Sequence, residues 1–160
     1  MKKTLTLGLA TLTLTGAMAT TALADDGATR ADIDRMLKSA QDYGFTHFDE
    51  FGVDDGDQFE VEGWGEDGSR LDVDMSMSDG SVLRKQKRQS EVPDWSLSSD
   101  EVSKALDGAQ EAGLEHIGSL DVDRMGQIEI EGYDAQFQEL ELELRMNRET
   151  FEVLKVVQDD

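Results

Sequence analysis

Gln58-Phe59-Glu60-Val61-Glu62-Gly63-Trp64 returns 69 residues later as Gln127-Ile128-Glu129-Ile130-Glu131-Gly132-Tyr133. In both copies apolar side chains alternate with glutamates, the period-two pattern of a strand with one buried face. The same offset aligns Leu37 with Leu106, Ala40 with Ala109, Gln41 with Gln110, Gly44 with Gly113 and His47 with His116. It also aligns Val53 with Val122, Leu71 with Leu140 and Met77 with Met146, with no gap from Ile33 to about Met77. A repeat of this length points to one unit written twice.

Working outward, each unit opens with a helix. Ile33, Met36, Leu37 and Ala40 form one apolar stripe after Thr29 as N-cap, with Asp32 in the first turn and Gly44 as C-cap. Val102, Ala105, Leu106 and Ala109 repeat the stripe behind the capping box Ser98-Ser-Asp-Glu101, and Gly113 repeats the cap. Strands follow at about Thr46–Val53, Gln58–Trp64, Arg70–Met77 and Ser81–Lys87, then at His116–Val122, Gly126–Tyr133, Gln138–Met146 and Thr150–Val157. Turns rich in Asp and Gly separate them. The expected fold is α+β: two tandem modules, each one helix packed on a three- to four-stranded antiparallel meander. The divisions are 1–24, 25–89, 90–97 as linker with Pro93 and Trp95, and 98–160.

Residues 1–24 read as a secretory signal. Lys2 and Lys3 precede an apolar, threonine-rich run that closes on Ala22-Leu23-Ala24, giving cleavage after Ala24 and a periplasmic or secreted product. The chain has no cysteine, so stability rests on packing without disulfides. A formal charge of −21, or −23 once Lys2 and Lys3 are lost, repels nucleic acid and anionic lipid. No membrane insertion is expected after cleavage.

A helix and an antiparallel meander closing on a hairpin, in an exported chain, resembles the PepSY domain. The residues that carry the likeness are the stripe Ile33–Ala40, Phe59-Glu-Val-Glu-Gly63, Leu71-Asp-Val-Asp-Met75 and Ser78-Asp-Gly-Ser-Val-Leu83. In the second unit they are Val102–Ala109, Ile128-Glu-Ile-Glu-Gly132, Leu140-Glu-Leu-Glu-Leu144 and Asn147-Arg-Glu-Thr-Phe-Glu-Val-Leu154. The resemblance implies a non-enzymatic protein that binds or regulates another protein, with a secreted or periplasmic protease as the expected target of inhibition.

Catalysis finds no footing in the residues: there is no cysteine nucleophile and no G-x-S-x-G. His47 and His116 occupy equivalent places after each helix and read as packing groups. The alternation sets Glu60 and Glu62 against Asp72 and Asp74, and Glu129 and Glu131 against Glu141 and Glu143, on the outer face. Like charges so placed cost a few tenths to about 1 kcal/mol per pair. The basic run Arg84, Lys85, Lys87 and Arg88 is expected to offset part of this. The acidic turn Asp54-Asp55-Gly56-Asp57 offers oxygen ligands for calcium but lacks the full EF-hand spacing, and no other cofactor is indicated. A calcium-responsive acidic protein is the alternative function. Trp64 and Tyr133 read as inward packing anchors; a bulge at the preceding glycine would instead turn them out, where with Trp95 they would serve as hot spots for a partner.

Overall fold

The computed structural model describes residues 27–54, 57–146 and 150–158. The proposed signal segment, 1–24, therefore lies outside the described residues, as does Asp55. The elements in order are β1 (Ala28–Thr29), α1 (Arg30–Tyr43), β2 (Phe45–Asp54), β3 (Gln58–Gly65), β4 (Arg70–Ser76) and β5 (Val82–Arg88). After them come β6 (Leu97–Ser98), α2 (Ser99–Glu111), β7 (His116–Val122), β8 (Gln127–Tyr133), β9 (Glu139–Met146) and β10 (Phe151–Gln158).

Both helices begin and bury as their sequences dictate. The Thr29 side chain accepts from the Asp32 amide, and Gly44, at φ 129°, donates to the carbonyls of Ala40 and Gln41. Ser98 and Glu101 form the reciprocal capping box. The eight stripe residues, from Ile33 to Ala40 and from Val102 to Ala109, are all buried.

The three- to four-stranded meanders expected for the two modules, whose continuity the sequence left open, belong to one larger sheet. All ten strands join one antiparallel sheet, with main order β10-β9-β8-β7-β2-β3-β4-β5. β2 and β7 meet at its centre, where Phe51 pairs with Leu120, Glu50 with Asp121 and Gly52 with Ser119. The short lead strands cross over reciprocally: β1 pairs with β7 through Ala28 and Ile117, while β6 pairs with β2 through Leu97 and Phe48. The end of the expected linker is thus a sheet strand. One apolar cluster runs under both helices, from Met36 and Phe59 to Leu106 and Ile130. Burial shared in this way suits halves too small to support separate cores.

β2 departs from strict alternation. Phe45, Phe48 and Phe51 are all buried at three-residue spacing. Register shifts between Phe45 and His47, and between Phe48 and Glu50, insert one residue each time and restore the inward facing. β7 does the same between Ile117 and Ser119, keeping Ile117 and Leu120 buried. The motif glycines belong to these irregular pairings. A Cβ on Gly63 would lie 2.1 Å from the His47 carbonyl oxygen, and one on Gly132 would lie 2.0 Å from that of His116. Only glycine allows the backbones so close.

Candidate interaction face

The face of the sheet opposite the helices carries the acidic residues, and the register aligns them. Glu143 pairs with Glu129, Glu129 with Asp121, Asp121 with Glu50, Glu50 with Glu62, and Glu62 with Asp72. Six carboxylates therefore stand side by side across six strands, each roughly 4.8 Å from the next. Lys155 flanks the row at one end and Gln86 at the other. A second row runs Glu141, Glu131, Ser119, Gly52, Glu60, Asp74 and Arg84. Its middle is small and uncharged, separating two acidic pairs. Joining the halves edge to edge through β2 and β7 makes one long acidic face out of two short ones.

Crowding shows in the titration of these groups. Burial first, then neighbouring carboxylates, raises Glu50, Glu60 and Glu129 above the ordinary range. Asp121 is raised by burial and by Asp123.

Relief is uneven. On the β3–β4 side, Arg84 reaches Asp74 at 2.6 Å, Glu60 at 3.3 Å and Asp72 at 3.4 Å, and Lys87 reaches Asp67 at 2.7 Å. The basic strand β5 does offset the charge it lies beside. Arg70 adds a second site of relief that sequence reading missed. Its guanidinium pairs with Asp49 at 2.6 Å and with Glu62, and stacks over Trp64 at 4.8 Å from the ring centre. Asp49, 7% exposed, sits at the β2 bulge, so no alternation pattern marks it as buried. Burial raises its carboxyl despite the opposing pull of Arg70, with Glu62 and Asp121 adding to the rise. Its 69-residue counterpart is Gly118, and that of Arg70 is Glu139; this break in the repeat was the available signal.

Trp64 requires correction as an inward anchor and as a contact residue. It stands two positions from Glu62, pairs directly with Arg70, and so lies on the carboxylate face. There it is 2% exposed, covered edge-on by Trp95 at 5.5 Å, with its indole N–H donating to Ser90 at 3.4 Å. Trp64 is packing under Arg70 and Trp95, not a docking surface. Trp95 and Tyr133 are half-buried.

Among the described side chains, the β7–β9 side has no equivalent cover. Among the described side chains, none of Glu129, Glu131, Glu141 and Glu143 joins an ion pair, and Glu131 meets only the Ser119 hydroxyl, at 3.5 Å. A groove of about 320 Å³ runs here between Asp121, Gln127, Glu129, Glu141 and Glu143.

The remaining candidates are dispersed. Asp54 and Asp57 are exposed in the β2–β3 turn, joined by a backbone bond of 3.3 Å. The carboxylates close enough to share an ion, among the described residues, are Glu60, Glu62 and Asp72, within 4.8 Å of one another. Arg84 already contacts Glu60 and Asp72, and Arg70 contacts Glu62, so guanidiniums occupy the place a cation would take. His116 stacks on Phe137 at 4.9 Å, and His47 meets the Thr46 hydroxyl at 3.2 Å. No helix among the described residues is long and apolar enough to cross a membrane.

Residues 4–86, more than half of the chain, match the family model described as the peptidase propeptide and YPEB domain. No curated protein matches the sequence. Among solved structures, a candidate lipoprotein from Clostridium difficile 630 is similar at 16% identity and a TM-score of 0.41, over 87% of this chain and 98% of that one.

Proposed function

The chain belongs to the peptidase propeptide and YPEB, or PepSY, domain family, and from that premise we propose that it is an exported, non-catalytic protein that binds and regulates a peptidase. In this reading the second half, residues 98–160, is a further copy of the PepSY-like unit. The supporting observation is the carboxylate face, which is matched by basic residues on the β4–β5 side and left without ion pairs across β7–β9 among the described side chains. Unpaired like charges lined up across strands lower stability, so their presence is best accounted for by a partner that neutralises them. The non-catalytic part of the reading is supported by the open row in which these carboxylates stand, since acid and base roles require enclosed, contrasting environments.

Affinity capture on the immobilised protein, from an extract of exported proteins, tests this. Salt-sensitive retention of a defined peptidase whose activity changes on addition of the protein is the expected result. Retention of no peptidase, with unchanged extracellular proteolysis, refutes the reading.

Calcium at the acidic groups is the weaker alternative, because Arg70 and Arg84 already hold the tightest carboxylate group.

A further inference from the structure

The sheet has two edges, built oppositely. On β5 every residue is exposed and four of the seven are Arg84, Lys85, Lys87 and Arg88. Basic side chains on an edge discourage further strands from adding. β10 carries only Glu152 and Lys155 as charges, and its Leu154 and Val156 are 48% and 50% exposed. It ends the sheet order, so its outer backbone groups have no strand partner among the described residues.

The two edges nonetheless share a register. β5 skips Leu83 between Met75–Val82 and Asp74–Arg84, and β10 skips Leu154 between Leu144–Val153 and Glu143–Lys155. Lys155 thus stands opposite Glu143 as Arg84 stands opposite Asp74. Past that point the likeness ends: Lys85 and Gln86 give way to Val156 and Val157.

We propose that β10 accepts an extended segment of a partner protein by strand addition, and that this segment presents Arg or Lys toward Glu141 and Glu143 while its alternate side chains are apolar. The proposal rests on the reading that the chain binds a protein, and names the binding surface. Arg84 shows the reach available: from its edge strand it contacts Asp74 one strand away and Glu60 two strands away. A guanidinium on a strand outside β10 would stand two strands from Glu141 and Glu143, the same separation as Arg84 from Glu60. The alternate residues of the added strand would lie beside Val156, which pairs with the buried Leu142 and so points to the helix side. A second copy fits poorly, since its β10 offers one lysine and brings another strongly acidic chain.

The test uses two labelled short peptides, one alternating Arg with Val and the other Glu with Val, with amide hydrogen exchange as the second readout. The Arg–Val peptide is expected to bind and to slow exchange across residues 151–158. Glu141→Gln with Glu143→Gln should weaken binding about tenfold, and Val156→Lys should abolish it by guarding the edge. Equal binding of both peptides, protection elsewhere than β10, or self-association that protects β10 without peptide overturns the proposal. If Val156→Lys still captures and regulates a peptidase, this edge is wrong while the peptidase reading stands.

Discussion

Asp49 and Arg70 form an ion pair that water scarcely reaches, with side chains 10% and 16% exposed and an N–O distance of 2.6 Å. Asp49 Oδ1 and Arg70 Nε have no hydrogen-bond partner among the described residues, so the pair is incompletely satisfied. Arg70 also neutralises Glu62 and covers Trp64. Arg70→Met strands two carboxylates and should cost about 3 kcal/mol or more, since breaking one partner of a buried pair costs more than losing both. Adding Asp49→Gly, the residue found at the equivalent Gly118, should recover much of the loss. Urea denaturation of the two variants checks this, and a double variant no more stable than the single one refutes it.

The motif glycines give a sharper packing test. A Cβ at Gly63 or Gly132 would overlap a carbonyl oxygen, whereas one at Gly52 meets its nearest atom, the Gly118 oxygen, at 3.9 Å. Gly63→Ala and Gly132→Ala should each destabilise by about 2 kcal/mol or more, because backbone must move. Gly52→Ala should stay within roughly 0.5 kcal/mol. Thermal melts of the three variants rank them, and similar melting temperatures for all would show the close approach is not maintained in solution.

Reciprocal lead strands make a claim about cooperativity. β1 of the first half pairs with β7, and β6 pairs with β2, so each half holds a strand of the other's sheet. Arg30 adds a clamp between helices, 2.6 Å from Asp107 while also holding Asp34. Cutting the chain in the 90–96 segment should leave two fragments without cooperative melting alone, and a single transition when mixed. Circular dichroism on each fragment and on the mixture decides it; one fragment melting cooperatively by itself would contradict the interlock.

The helices were legible because their evidence is local: stripe spacing, a capping side chain three residues before its amide, and a left-handed glycine, Gly44 at the first C-cap and Gly113 one residue past the second, which is Ala112. The alternation of acidic and apolar residues in β3 and β4 was legible for the same reason, and it predicted which carboxylates oppose each other. Asp49 was not, because each β2 bulge resets the two-residue phase that pattern reading relies on. Trp64 was assigned to the wrong side, although its even spacing from Glu60 and Glu62 already placed it on their face. The β2–β7 join was hidden for another reason. Its pairs, such as Phe51 and Leu120, are 67 to 71 residues apart, and their register is fixed by the shared core beneath them rather than by any local turn.

Proton linkage offers the most direct test of the acidic row. Glu50, Glu60, Asp121 and Glu129 titrate above their ordinary values in the folded protein, chiefly through burial and then through neighbouring carboxylates. A carboxyl whose folded pKa is raised binds protons more readily when folded. Its stabilising contribution is complete below the unfolded pKa and is lost as pH rises through the folded one. Lowering pH from 7 toward about 5 should therefore raise stability rather than reduce it. Asp32, Asp79 and Asp67 work the other way. Thr29 and Arg35 lower Asp32, Ser81 lowers Asp79, and Lys87 with Ser69 holds Asp67 at about 2. Their contribution disappears only as pH falls below about 4, the range of unfolded carboxyls. The expected profile of urea midpoint against pH is a maximum on the mildly acid side with a fall below it. High salt should flatten the rise by screening the exposed carboxylates. Glu129→Gln should reduce the gain on acidification while raising stability at neutral pH. A midpoint that drops steadily from pH 7 downward, unaffected by salt, would mean that the aligned carboxylates do not repel one another as their register implies.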